Sequence, residues 1–130
     1  MNIEELKRAA RHGNWGAVDR ELPHAVKSPS FVEWIKEGVE SNREYLRDLA
    51  ASSLALISIS PHEKRAICSR LYTCMNLHPK EYSSFRAACA LAVHDPVQYR
   101  IDIIPVLERW KNDDEVGSLA VKSLSSLNAA

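Results

Sequence analysis

Three sets of positions recur at an interval of 36 residues, and that spacing constrains the fold more than any other feature of the chain. Phe31, Ile67 and Ile103 correspond; Ile35, Leu71 and Leu107 follow one helical turn later; Gly38, Cys74 and Trp110 continue the same face. Residues three or four apart share one face of an α-helix, so each set marks a stripe on a helix that returns once per repeat. Every such helix is followed by a second one rich in small residues: RDLAASSLALI (47–57), FRAACALAV (85–93) and VGSLAVKSLSSL (116–127). Within these, Leu46–Ala50–Leu54, Phe85–Cys89–Val93 and Val116–Ala120–Leu124 set an apolar–small–apolar ladder at i, i+4, i+8. A two-helix unit cannot bury its apolar face alone, so the units are expected to stack.

Helix starts are marked independently. An N-cap side chain accepts from the N3 amide, and an acid or amide at N3 bonds back to the cap. Six pairs have this spacing: Asn2 with Glu5, Ser30 with Glu33, Ser41 with Glu44, Ser60 with Glu63, Asp95 with Gln98 and Asn112 with Glu115. Pro61, Pro79 and Pro96 each open a breaker-free stretch, as expected of proline in a first helical turn. The helices expected are 2–12, 14–25, 30–40, 42–58, 61–77, 79–94, 96–111 and 113–128. Their short links force consecutive helices into antiparallel hairpins. Isoleucine and valine never alternate with polar residues over a useful length, so no strand is expected.

With 130 residues, of which 45% are hydrophobic, the chain can bury the core of one domain. Lys+Arg and Asp+Glu both total 17, giving a formal net charge of zero. That balance argues against disorder, and against nucleic-acid binding, which usually rests on a strong positive excess. The start, MNIEELKRAARHG, lacks the apolar run of a secretory signal, and no stretch approaches the length of a bilayer span. Cys68, Cys74 and Cys89 are odd in number and lack CxxC spacing, which fits free thiols in a reducing cytosol. A cytoplasmic location is expected.

A two-helix repeat of this length with a small-residue second helix is similar to the HEAT and armadillo class. Leu-Arg-x-x-Ala (46–50) and Phe-Arg-Ala-Ala-Cys-Ala-Leu (85–91) resemble the Val-Arg-x-x-Ala-x-x-Ala-Leu signature of HEAT second helices, with Arg47 and Arg86 at its arginine. The third unit departs: Gly117 takes that position, behind the acid pair Asp113 and Asp114. The first segment, LKRAARHGNWGAVDREL, carries an Ala-x-x-Gly-x-Trp turn that resembles a tetratricopeptide-type hairpin, as a cap would. The resemblance implies an all-α fold: a short right-handed α–α superhelix of about eight helices forming one domain, with residues 1–28 as capping hairpin and 29–130 as repeats.

The residues offer little chemistry. The five histidines (His12, His24, His62, His78 and His94) show no HExxH and no i, i+4 pair, so no metal or cofactor is expected. His94–Asp95 shares a dipeptide with metal-dependent phosphohydrolases, but Asp95 reads better as a helix cap. Cys89 lies on an apolar face and reads as core, as do Cys68 and Cys74. There is neither a GxSxG nor a glycine-rich phosphate loop, so no enzyme is expected. Trp34 and Trp110 lie on apolar faces; Trp15, in the cap, is the tryptophan that would mark a binding hot spot if exposed. Glu33, Glu37, Glu40, Glu44 and Asp48 form an acidic run interleaved with Lys36, Arg43 and Arg47, most simply a solvated face.

Solenoids hold partners on a concave surface lined by second helices. Glu44, Arg47, Asp48, Arg86 and Lys122 are the candidate contacts there, supplying complementary charge to a protein partner. The expected function is a non-catalytic protein-binding module, and a free-standing solenoid of this size resembles bacterial immunity proteins that neutralise a toxin or another enzyme. The alternatives are a HEAT-like nucleic-acid-binding protein, which would need a basic groove, and behind it an enzyme on a helical repeat.

Overall fold

A computed structural model describes residues 1–129. Among them the only regular elements are eight α-helices: α1 Ile3–Arg11, α2 Trp15–Ala25, α3 Pro29–Gly38, α4 Glu44–Leu54, α5 Pro61–Leu77, α6 Tyr82–His94, α7 Pro96–Trp110 and α8 Gly117–Ala129. The fold is all-α, with consecutive helices packed on one another. α3 packs on α4, α5 on α6 and α7 on α8, and the second members also stack, α4 on α6 and α6 on α8. α1 lies against both α2 and α4. One apolar core runs through the chain from Leu6 to Leu127.

The 36-residue sets all face this core. Phe31, Ile67, Ile103, Ile35, Leu71, Leu107, Gly38, Cys74 and Trp110 are all buried. A side chain of this size removed from water contributes about 1.5–3 kcal/mol, so the repeated stripe supplies much of the drive for stacking. The second helices differ. In α4 every residue from Arg47 to Leu54 is buried, because α1, α3 and α6 press on it from three sides. The small residues of 47–57 are what allow helices to approach that closely. The expected ladder holds only in part: Leu46, Cys89 and Leu124 are half-buried, and Val93 is 58% exposed at the end of α6.

Of the six expected reciprocal pairs, one forms in both directions and one in a single direction. Asn2 accepts from the Glu5 amide at 2.8 Å while Glu5 accepts from the Asn2 amide at 3.3 Å, a complete capping box. Asp95 accepts from the Gln98 amide at 3.4 Å and starts α7. Ser60 is the N-cap residue of α5, but its hydroxyl goes to the Glu63 carboxylate instead of the amide. The other three are displaced. α3 begins at Pro29 behind Ser28, α4 behind Arg43, and Asp113 accepts from the amides of Glu115 and Val116 in place of Asn112. Nor does Pro79 open a helix. It sits in a turn closed by the Glu81 amide on the His78 carbonyl, the second position of which suits proline, and α6 starts only at Tyr82.

Gly13 ends α1 with φ 75°, donating to the Ala10 carbonyl while the Asn14 amide donates to Ala9. This Schellman arrangement uses a left-handed residue that glycine adopts without strain, and it turns the chain back so that Trp15 begins α2. Gly117, at the arginine position of the third unit, has a different reason: a Cβ there would lie 2.6 Å from the Lys111 carbonyl oxygen. The close seat of α8 on the end of α7 excludes the side chain that α4 and α6 carry at this place.

Candidate binding cleft at the second helices

The α4–α6 contact is charged in its interior. Arg47, 3% exposed, reaches from α4 to the start of α6, where its Nη2 donates to Glu81 at 2.7 Å, and its Nη1 donates to the Ser41 carbonyl at 3.0 Å. Glu44, one turn earlier, accepts from the Ser83 amide at 3.3 Å and so satisfies a free donor at the N-terminus of α6. Burial raises the Glu44 carboxyl above its ordinary value, partly countered by that amide. Arg47 and Glu44 thus fasten the second helices to each other. The expectation that they contact a partner at the surface is corrected for Arg47, which has almost no surface, and Glu44 is half-buried with a structural partner.

Asp48 and Arg86 lie next along the same interface. Asp48 is 4% exposed; its Oδ1 stands 3.7 Å from Arg86 Nε and accepts weakly from the Ser52 hydroxyl at 3.4 Å. Arg86 Nε has no hydrogen-bond partner. Desolvation pushes the Asp48 carboxyl up to about 7; Arg86 opposes the shift, while Glu44 and Asp19 add to it. Asp48 was expected as a surface contact and is instead an interior acid, because α4 has almost no solvent face. It nevertheless reaches an opening.

That opening is a cleft of about 380 Å³ between the cap and the second helices, walled by Trp15, Asp19, Asp48, Tyr82, Arg86 and Glu115 among others. Three carboxylates face one guanidinium across it. Trp15 packs against the core yet is half-buried, and Tyr82 lies tilted against Trp110 with ring centroids 5.0 Å apart. Burial, and after it the charges of Asp113 and Glu115, raise the Tyr82 phenol above its ordinary value. Lys122, the fifth candidate, is exposed on α8 and is not part of the cleft wall.

Asp19, Tyr82, Glu81 and Glu115 were missed from the sequence. Asp19 lies on the exposed face of α2 and the others in a first helical turn or a link, where solvation is the default reading, and only the meeting of cap and second helices brings Asp19, Tyr82 and Glu115 together. The acidic run divides likewise. Glu33 and Glu63 both pair with Lys36, at 3.0 and 2.9 Å, Glu40 pairs with Arg70, and Glu44 and Asp48 turn inward.

Of the remaining candidates for chemistry, His94 has a structural partner. His94 Nε2 lies 2.6 Å from the Leu54 carbonyl, tying the end of α6 to the end of α4. Cys68 and Cys74 are buried and Cys89 half-buried, all with burial raising the thiol, Cys74 to about 11, so none is poised as a thiolate. Among the described residues no three His, Cys, Asp or Glu side chains are grouped to hold a metal ion. No helix among them is long and apolar enough to cross a membrane. Comparison with protein-family models, with curated proteins and with solved structures gives no match to this chain.

Proposed function

We propose that this protein is a non-catalytic protein-binding module: a short HEAT-like α-solenoid, closed by its N-terminal hairpin and working in the cytoplasm, that binds a partner protein at the cleft between cap and second helices. One observation carries this reading. The cleft combines a half-buried tryptophan, a tyrosine and an arginine, the residue types enriched at interface hot spots, with acids that can orient a partner by charge. The repeat spacing, the arginines at 47 and 86 and the stacking of α4 on α6 support the HEAT-like part. A dedicated inhibitor, such as a bacterial toxin-immunity protein, is one form such a module takes.

The test is affinity capture of the tagged protein from its native lysate at moderate salt. One stoichiometric protein, lost when Asp19 and Glu115 are both changed to lysine, is the expected result. A captured nuclease or other toxic enzyme would support the inhibitor form. Recovery of nucleic acid alone, weakening with salt, would overturn the reading in favour of a nucleic-acid binder.

A further inference from the structure

Tyr82 lines the cleft between cap and second helices, whereas its ring neighbour Trp110 lines a separate, shallow opening of about 380 Å³. Lys80 enters this wall from the turn before α6, and Arg109, Asn112 and Asp113 from the end of α7 and the link after it. Trp110 is the one buried residue of the five and forms the floor. In the 36-residue register it stands where the earlier repeats carry Gly38 and Cys74. Cys74 donates to the Ser83 carbonyl at 3.9 Å, but Trp110, 8% exposed, has its indole N–H buried with no acceptor. A buried donor left unpaired keeps its desolvation cost.

The rest of the wall is also short of acceptors. Neither Lys80 nor Arg109 has an ion-pair partner among the described residues. Arg109 Nη1 donates only to the Pro79 carbonyl at 3.3 Å, which sets it beside Lys80 in the chain. Glu108, next to Arg109, is held by Lys111 at 2.7 Å. Asp113 is the single acid of the wall, and its Oδ2 is committed to the amides of Glu115 and Val116, each at 3.0 Å. Two unpaired cations and an unpaired indole N–H thus meet one carboxylate that is already engaged.

We propose that this opening is a receptor for a carboxylate, the aspartate or glutamate side chain of a partner protein, held by Lys80 and Arg109 over the Trp110 floor. The proposal rests on the binding-module reading and adds a second contact to it. A carboxylate suits the wall better than a phosphate for a physical reason. Its planar pair of oxygens matches the fork of Arg109, and Asp113 repels its single charge less than the nearly double charge of a phosphate monoester. It brings acceptors to a wall whose free groups are donors.

The test titrates the full chain with N-acetyl-glutamate amide and follows the three tryptophan indole N–H resonances. Trp110 reports the opening, and Trp15 and Trp34 serve as internal references. The expected result is a saturable shift confined to Trp110, about tenfold weaker with the neutral isostere N-acetyl-glutamine amide. Raised salt should weaken it, because exposed charges are screened, and inorganic phosphate should bind less tightly at equal ionic strength. Lys80→Gln and Arg109→Gln, both at exposed positions, should each weaken binding about threefold. The double variant should also retain less of the captured partner. Equal shifts with the glutamine amide, tighter binding of phosphate, a shift at Trp15 in place of Trp110, or no effect of either variant would overturn the proposal. So would full retention of the partner by the double variant. A partner captured at full strength while the acid probe fails removes this site and leaves the binding-module reading in place. An empty capture beside an intact titration counts against that reading, and so against a protein as the source of the carboxylate.

Discussion

The first and second helices of the repeats follow different rules. α3, α5 and α7 carry a stripe of large side chains toward the core, and the stripe tells which way each helix faces even though α5 and α7 also leave apolar residues such as Leu77, Val97 and Ile101 exposed. α4 and α6 are enclosed by neighbours, and their buried residues include Arg47, Asp48, Ser52 and Ser53 in α4 and Ser83 and Ser84 in α6. These buried groups find partners either on a neighbouring helix or one turn back on their own. Ser53 donates to the Leu49 carbonyl at 2.7 Å, and Ser84 donates to the Met75 carbonyl at 2.6 Å. A polar residue marks the solvent side only on a helix that has one. On an enclosed helix it marks a buried hydrogen bond, to a neighbouring helix or one turn back along its own.

Arg47 breaks that contrast most directly if it is wrong. Arg47→Ala removes the donors to Glu81 and the Ser41 carbonyl and leaves a gap at the α4–α6 contact. Removing one member of a buried pair costs about 3–5 kcal/mol, nearer the lower end here because Glu81 is 35% exposed and can be rehydrated. Arg43→Ala, at an exposed position four residues earlier, should stay within about 0.5 kcal/mol. Urea denaturation of both variants settles the matter; equal tolerance would mean that α4 has a solvent face after all.

Asp48 gives the next effect, through pH. Burial holds its proton up to about 7, against an ordinary value of 3.8. Between those values the folded chain keeps a proton that the unfolded chain releases, so stability is fullest below about pH 4 and falls as pH rises through 7. The loss is about 2–4 kcal/mol, with Glu44 contributing a smaller change of the same sign. Asp48→Asn should flatten most of this slope while keeping the shape of the interface. Denaturation at pH 5 and pH 8 checks it, and stability that rises with pH would contradict the burial account.

Gly117 sharpens the difference among the second helices themselves. A methyl group there meets backbone, which cannot swing aside as a side-chain end can. Gly117→Ala should therefore cost about 1–3 kcal/mol despite alanine's better helix propensity. A gain in stability would show that α8 is free to move off α7.

The first helices, the repeat interval and the order of hairpins were legible because a recurring apolar stripe needs only periodicity to be seen. Ile35, Leu71 and Leu107 are the plainest case. The cleft was legible only in fragments. Asp48, Arg86 and Trp15 stood out singly, but their convergence depends on how the cap meets α4, α6 and the start of α8, which no local pattern records. Arg47 was seen and misplaced, since its exposure is decided by the number of neighbours around α4.

The smallest predicted effect separates two caps that look alike in sequence. Asn2 and Ser30 both precede a glutamate by three residues. Asn2 completes its reciprocal pair with Glu5, whereas Ser30 lies inside α3, where its hydroxyl meets only that of Ser28 at 3.1 Å. Pro29 is the cause: its fixed φ suits the first helical position, so it starts the helix one residue before Ser30 and makes Ser28 the boundary. Asn2→Ala should cost about 1 kcal/mol, and Ser30→Ala should be neutral or slightly stabilising, because alanine is the better residue within a helix. Thermal denaturation resolves the two. A loss at Ser30 equal to that at Asn2 would place the start of α3 where the capping pattern, and not the proline, puts it.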